Sequence, residues 1–305
     1  VKKTCAIVVL NYNGAALLET CLPSLLAAGA DEVVVLDNGS ADNSRDLVRD
    51  KFPGVTWFAA SANRFLVSYN EFLAQTKHPL VFLLNNDVSL RPGCLAPLLR
   101  HFDDPRVFAV APLVLNPGDL VENGRTCLTW SQGRFGYRQI DTRPGITATA
   151  STAAGMFDRE KLMSFGGFDE LLLPMYGEEM DLTLSAYRRG WIVRFEPQAV
   201  ADHLGGASIN KAVCDDRRRS YNVKNRHLSV IKHVHSRALL AAYFAWTALL
   251  SPLRLLTFDG AYLRGSVAAW RLRKFAMQRR SREIQATVVQ DREIFSQLAS
   301  LKGAG

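Results

Sequence analysis

The chain has 305 residues, 48% of them hydrophobic, and a formal net charge of +8. This content builds a large buried core and excludes global disorder, and the length suits one large domain with an appendage or two modest domains. Residues 1–216 hold 20 Lys/Arg against 25 Asp/Glu, whereas residues 217–305 hold 17 against 4, so the C-terminal part calls for a polyanion such as phospholipid headgroups, a pyrophosphate carrier or nucleic acid.

Lys2-Lys3 leads directly into an apolar run, as expected of a chain without a signal peptide. Cys5–Asn11 (CAIVVLN) is short and rich in β-branched residues, the pattern of a buried parallel strand. A helix is predicted over Ala15–Ala28, a second buried strand over Glu32–Asp37, and a helix over Asp42–Lys51 with Asp42 as its cap. Val55–Phe58 reads as a third strand, residues from about Val67 to Thr76 as a helix, and Leu80–Asn85 as a fourth strand. Strands and helices alternating at this spacing form βαβ units around a parallel sheet, and such sheets bind ligands beyond the carboxyl ends of their strands. The polar segments at those ends are 11–14, 37–40 and 85–87, which should converge on one crevice.

Residues 115–146 are Gly-rich and irregular in pattern, an excursion of a kind that is usually functional, disordered or both. Thr147–Phe157 looks strand-like. A helix opens in Tyr176–Leu182 and ends near Gly190, and Trp191–Phe195 and Ala199–His203 read as two short extended segments. From Arg217 the pattern is helical, with much Arg and Leu. Ala238–Leu253 is a run of 16 uncharged residues, shorter than the roughly 20 a bilayer span needs, so an interfacial or core helix is expected there. Residues 264–282 mix Arg271, Arg273, Lys274, Arg279 and Arg280 with Trp270, Phe275 and Met277, which suits a helix on an anionic membrane surface. The five cysteines are odd in number and form no CxxC pair. That disfavours a zinc knuckle or a disulfide framework, and reduced thiols in a cytosolic protein are expected.

Each chemistry-bearing segment has a plain structural reading beside the functional one. Asn85-Asn86-Asp87 ends a strand with two amides and a carboxylate. It could hold a hard divalent ion beside a diphosphate, or simply form a turn. Asp37 could accept hydrogen bonds from a ribose or a base, or could belong to an Asp-Asn-Gly-Ser turn. Glu178, Glu179 and Asp181 could be dipole-stabilised acids at a helix start. Crowded carboxylates also raise one another's pKa, which suits a general base, and Glu178 shares a helix face with Asp181 while Glu179 points away from both. His203 precedes Gly205-Gly206 and gains weight only if the fold brings it beside Asp87. Arg217-Arg218-Arg219 through Arg226 is a solvated helix face or a clamp for diphosphate or lipid phosphate.

Taken in order, these segments resemble family 2 glycosyltransferases of the GT-A fold. The resemblance is carried by Ile7–Gly14, Val34–Asp42, Leu83–Asp87, Gly166–Glu170, Tyr176–Leu182, Pro197–His203 and Tyr221–Arg226, and is closest in look to bacterial rhamnosyltransferase-like members. It implies an α/β fold with a Rossmann-like, mostly parallel sheet flanked by helices, a catalytic domain over 1–216 and a basic helical extension over 217–305. Tyr12, Asn13, Asp37, Asn63, Arg64, Asn86, Asp87 and Gly155 would bind the nucleotide-sugar. Asp87 would hold Mg²⁺ or Mn²⁺, with His203 completing the metal site. Glu179 falls where the family often has an Asp base, and the choice between Glu179 and Glu178 stays open. The family's Gly-Phe pair between two asparagines is replaced here by Asn63–Asn70, which lacks that Gly, and Arg64 would offer a charge to the nucleotide instead.

The implied activity is inverting transfer of a sugar from a nucleoside-diphosphate donor to a saccharide or polyprenyl-linked acceptor, in bacterial cell-surface polysaccharide synthesis. The implied location is the cytoplasmic face of the cell membrane, as a peripheral protein. Residues 115–146 and the helix from Arg217 would form the acceptor side. A sugar nucleotidyltransferase is the alternative enzyme, disfavoured because residues 11–16 carry no basic side chain. A non-catalytic nucleotide-sugar-binding scaffold at the membrane surface is the alternative outside enzymes. Nucleic-acid binding is disfavoured by the Leu-rich stretches of the basic segment.

Overall fold

A computed structural model describes residues 3–131, 134–204, 214–256 and 259–303. In chain order the elements begin with β1 (Cys5–Asn11), α1 (Ala15–Ala27), β2 (Glu32–Asp37), α2 (Ser44–Lys51), β3 (Thr56–Ala59), α3 (Tyr69–Gln75), β4 (Leu80–Asn85), β5 (Val88–Leu90), α4 (Leu95–Arg100) and β6 (Val107–Asn116). They continue with β7 (Leu120–Asn123), β8 (Arg125–Ser131), β9 (Arg134–Asp141), β10 (Gly145–Ile146), β11 (Ala154–Asp158), α5 (Arg159–Ser164), α6 (Glu178–Arg188) and β12 (Ile192–His203). Four helices close the chain: α7 (Asp215–His233), α8 (Arg237–Leu256), α9 (Gly260–Gln285) and α10 (Asp291–Ser300).

The main sheet runs β10-β12-β6-β11-β4-β1-β2-β3, with β5 on β12 and β7 on β6. β1 is parallel to β2 and β4, β2 to β3, and β12 to β6, whereas β11 lies antiparallel between β4 and β6. The runs of β1, β2 and β4 are buried almost without a break, because helices cover both faces of a parallel sheet. Register then sets the crevice: Asn11 pairs with Asp37, and Leu10 with Asn85, so the three strands stop at one level.

Several local expectations change. α2 starts at Ser44, two residues later than expected. Asp42 binds the Ser44 N–H at 3.1 Å and hydroxyl at 2.6 Å, and its other oxygen takes the Ala15 N–H at 3.0 Å. The strand expected over 147–157 is confined to β11. The two extended segments at 191–203 are one strand, β12, irregular between Glu196 and Val200. Residues 88–114, left without an element above, hold β5, α4 and most of β6. Pro112 sits inside that strand opposite Glu196, at the same irregularity, where a missing ladder N–H is tolerated. The described residues of 115–146 fall largely into strands β6–β10 rather than an irregular excursion, with β8 and β9 paired antiparallel.

The helices after residue 214 are tied to the rest of the fold by ion pairs. Arg188 of α6 is fully buried and meets Asp291 at 2.6 Å, and Arg189 meets Glu283 at 2.8 Å. α9 crosses α7 closely enough that a Cβ on Gly265 would lie 2.5 Å from the Ser220 carbonyl oxygen. Among the described residues no helix is long and apolar enough to cross a membrane. All five cysteines are free, and only Cys214 is exposed.

Candidate active site

The ends of β4, β1 and β2 are stitched together by side-chain amides. Asn86 Nδ2 donates to Asn11 Oδ1 at 2.9 Å, and Asn11 Nδ2 donates to Asp37 Oδ1 and Ser40 Oγ, both at 3.1 Å. Asp37 Oδ2 accepts the N–H groups of Gly39 and Ser40 at 3.1 and 2.9 Å. Ser40 in turn takes the Asn13 N–H at 2.8 Å, and Asn13 Oδ1 takes the Ala41 N–H at 2.7 Å. Asn13 holds a φ of +50°, a left-handed conformation that Asn tolerates better than most residues. Asn11, Asp37 and Asn86 are buried, while Tyr12 stands 49% exposed at the rim. Gly14 admits this network because it has no Cβ: one there would lie 2.1 Å from Asn86 Nδ2 and 2.7 Å from Asn11 Oδ1.

Asp87 occupies the turn between β4 and β5. β12 pairs with β5 through His203 and Val88, and the Leu204 N–H binds the Asp87 carbonyl at 3.0 Å. This brings His203 Nε2 to 3.1 Å from Asp87 Oδ1, while His203 Nδ1 meets Glu122 Oε2 at 2.6 Å. Burial opposes a charge on His203, but its two carboxylate partners outweigh that effect and push its pKa up to about 10. The glycine pair after His203 lies outside the described residues.

This donor set fits a divalent ion. A carboxylate oxygen and an imidazole nitrogen converge from two elements, and a carboxylate behind the histidine orients it, as metal-bound histidines require. Among the described residues no group of three or more His, Cys, Asp or Glu side chains is placed to hold a metal alone. An ion here would draw its other ligands from phosphate oxygens or water, the usual habit of such ions at diphosphates.

The three acids of α6 have three different surroundings. Tyr137 of the β8–β9 pair donates its hydroxyl to Glu179 Oε2 at 3.0 Å. Burial pushes the Glu179 carboxyl up, hydrogen bonds from Tyr137 and Thr152 pull it back in part, and the nearby Glu122 charge raises it again. Glu178 keeps part of its surface accessible, yet crowding by protein atoms, with Glu179 and Asp181 adding to it, pushes its pKa up to about 8. Asp181 is enclosed: Lys232 Nζ lies 2.8 Å from it and His233 Nε2 2.7 Å. Burial alone would raise its pKa, but the Lys232 ammonium and the hydrogen bond with His233 hold the carboxyl well below the usual range. Asp181 thereby anchors α6 to α7, apart from the grouping of Glu122, Tyr137 and Glu179.

The turn into α6 is held from α7 as well. Asn225 Nδ2 lies 2.6, 2.7 and 2.8 Å from the carbonyls of Leu172, Met175 and Tyr176. Tyr176 and Gly177 both have positive φ, +79° and +92°, so this turn depends on its surroundings to keep its shape.

The remaining predicted binding residues lie on the loop before α3, where Asn38 Nδ2 donates to the Phe65 carbonyl at 3.2 Å, and in β11. Asn63 is exposed and its Oδ1 accepts the Phe65 N–H at 3.2 Å. Arg64 pairs with Glu170 at 2.6 Å on the surface. Gly155 sits within β11 opposite Leu83, and a Cβ there would meet the Ser151 carbonyl at 2.6 Å and the Phe157 ring at 2.8 Å, so close packing already calls for glycine. Sequence patterns placed Asn11 and Ser40 at the crevice without giving them a role, and missed Glu122 and Tyr137. Asn11 carried a usable signal, since it ends an apolar strand, whereas Glu122 and Tyr137 reach the site only through pairing of the 120–141 strands.

A family model described as glycosyl transferase family 2 matches residues 6–166. The chain is 30% identical over 200 residues to a pre-mycofactocin glycosyltransferase of Mycobacterium tuberculosis, a match covering 63% of this chain and 40% of that protein. It is 26% identical over 230 residues to the N-acetylglucosaminyl-diphospho-decaprenol L-rhamnosyltransferase of the same organism, covering 65% of this chain and 75% of the relative. In three dimensions it resembles GalNAc-T7 crystallised with UDP, GalNAc and Mn²⁺, with a TM-score of 0.64 and 16% identity over 93% of this chain and 57% of the other. It also resembles a mannosyltransferase from Pyrobaculum calidifontis in complex with GDP-Man and Mn²⁺, with a TM-score of 0.55 and 16% identity over 94% and 86% of the two chains. At that identity the structural likeness is one of fold.

Proposed function

The chain belongs to glycosyl transferase family 2 and has the GT-A fold, and from that premise we propose that it is an inverting, metal-dependent transferase of a hexosyl-type sugar from a nucleoside-diphosphate donor. The observation that carries the reading is the convergence of Asp87 and His203, 3.1 Å apart, beside the amide network at Asp37. Tyr12, Asn13 and Asp37 would border the nucleoside, and Asn86 would hold the network that shapes its pocket. A divalent ion, Mn²⁺ or Mg²⁺, held by Asp87 and His203 would neutralise charge on the departing diphosphate.

Glu179 is the assigned base. Its raised pKa suits proton removal near neutrality, and the Tyr137 hydroxyl fixes its carboxylate. The acceptor hydroxyl gives its proton to Glu179, and its oxygen bonds to the anomeric carbon as the bond to the diphosphate breaks on the opposite face. The configuration is thereby inverted. The relative whose name specifies a diphospho-decaprenol acceptor supports a saccharide or polyprenyl-linked acceptor and a place in cell-surface polysaccharide synthesis. Exposed Phe244, Leu249, Trp270 and Phe275 on the basic helices α8 and α9 support peripheral attachment to an anionic membrane surface.

The reading is tested by incubating the chain with UDP-, GDP- and dTDP-sugars and Mn²⁺, following nucleotide release and the anomeric configuration of the product. One donor should turn over with inversion, and Glu179→Gln should lose about 10²–10⁴-fold in rate. Retention of configuration, or full activity in Glu179→Gln, contradicts it.

A further inference from the structure

The arginine run of α7 that the crevice leaves unused borders a separate cavity. Its volume is about 330 Å³, within the range of small-molecule sites. Arg219 and Arg226 of α7, Arg254 of α8, and Asp259 with Tyr262 at the start of α9 line it. This is not the face of α7 that holds the turn into α6. Lys224, Asn225 and Lys232 serve that purpose, whereas Asn222, Val223 and His227 line the cavity beside the two arginines.

Among the described residues the lining holds three arginines and one carboxylate, Asp259, which meets Arg219 at 2.9 Å and Arg254 at 3.2 Å. The other oxygen of Asp259 is committed to the start of α9, taking the Tyr262 N–H at 3.1 Å. The Tyr243 hydroxyl is bonded to His227, and the far ring nitrogen of His227 lies 3.3 Å from Ser266, so these polar groups form a braced wall. Outside the cavity, α8 exposes Phe244, Trp246, Leu249 and Leu256. A cationic slot flanked by an apolar helix surface matches a molecule with a phosphate head and a hydrocarbon chain.

The geometry points to this cavity as the site that grips the phosphate or diphosphate of a lipid, with the lipid chain against α8. The inference deepens the transferase reading, on which it rests for the identity of the acceptor. Transfer would take place at the Asp87 crevice, while α7 joins the two places: one face lines the cavity and another holds the turn before Glu178.

The test uses the full chain and vesicle flotation. Native protein should float with phosphatidylcholine vesicles containing phosphatidic acid and not with phosphatidylcholine alone, and inorganic pyrophosphate should compete. Arg219→Gln with Arg226→Gln should weaken flotation about tenfold or more, as loss of charge-assisted bonds predicts. Arg49→Gln with Lys51→Gln, the same charge removed from exposed positions of α2 outside the cavity, should change it no more than about twofold, the size of a screened surface effect. Should the first double variant melt early, Arg226→Gln alone carries the same comparison. Equal weakening by both pairs, or failure of pyrophosphate to compete, overturns the site. Cavity-dependent pyrophosphate binding without vesicle binding overturns the lipid as its source. Nucleotide binding at the Asp87 crevice is read separately. A chain that binds nucleotide but neither phosphate probe contradicts the cavity alone, and one that binds pyrophosphate but no nucleotide contradicts the transferase reading alone.

Discussion

His203 Nε2 stands 3.1 Å from Asp87 Oδ1 although 116 positions separate the two residues. The sheet makes the meeting: β12 returns along β6 and ends against β5, setting His203 beside the residue that follows Asp87. Glu122 closes the arrangement from behind, 2.6 Å from His203 Nδ1. Two ligand candidates and their support thus come from three distant segments.

Glu122→Gln tests that support. The amide keeps the shape but loses the charge that holds the imidazole, so Mn²⁺ affinity should fall about 10–100-fold, the usual cost of losing such a partner. Activity should return at higher Mn²⁺. A variant with native Mn²⁺ dependence would remove Glu122 from the metal site.

Tyr137→Phe tests the base. The Tyr137 hydroxyl stabilises the charged form of Glu179, so its removal raises that carboxyl further. The acidic limb of the kcat/KM profile should move to higher pH, with activity recovering on the alkaline side. An unmoved limb would separate Tyr137 from the reacting base.

Glu178 makes a signed prediction for stability. Its pKa is pushed from 4.5 up to about 8 in the folded chain, chiefly by burial. Between those values the folded state holds more protons than the unfolded one, so this group's contribution to stability falls as pH rises from 4.5 to about 8 and is flat beyond. Glu178→Gln should therefore raise the melting temperature by about 2–4 °C at alkaline pH, the equivalent of roughly 1 kcal/mol, and bring no gain at acid pH. Equal effects at both extremes would refute the assignment.

Asp181 and Glu179 should separate cleanly. Asp181→Asn breaks a buried pairing with Lys232 and His233 and should cost about 3–5 kcal/mol in urea unfolding, nearer the lower figure because Lys232 keeps Asp169. The native contribution is present above the ordinary carboxylate pKa of 3.8 and is lost as pH falls through the depressed folded value. Glu179→Gln should unfold within about 1 kcal/mol of native and yet be inactive. A stable but inactive Asp181→Asn would return Asp181 to the chemistry.

What could be read from the chain alone follows from how each element is buried. β1, β2 and β4 were legible residue for residue, because strands covered on both faces are written as continuous apolar runs. Their polar ends marked the crevice for the same reason: an amide or carboxylate after such a run needs a partner, and Asn11, Asp37 and Asn86 found one another. β6 was hidden by Pro112, whose position opposite an irregularity of β12 no local pattern reveals. The strands of 120–141 were hidden by their glycines and mixed polarity. With them went Glu122 and Tyr137, whose roles come from pairing across the fold. Asp181 looked like its neighbours because spacing assigns a face of a helix and says nothing of the lysine and histidine waiting opposite.

The central claim is a nucleoside-diphosphate site completed by a metal at Asp87 and His203, and calorimetric titration of UDP, GDP and dTDP into the chain with Mn²⁺ or with EDTA tests it most directly. The account predicts that at least one of the three binds with Mn²⁺, and that EDTA or Asp87→Asn each weakens it by about tenfold or more, consistent with loss of charge-assisted contacts. Binding that is indifferent to both metal and Asp87, or no binding of any of the three, would contradict it.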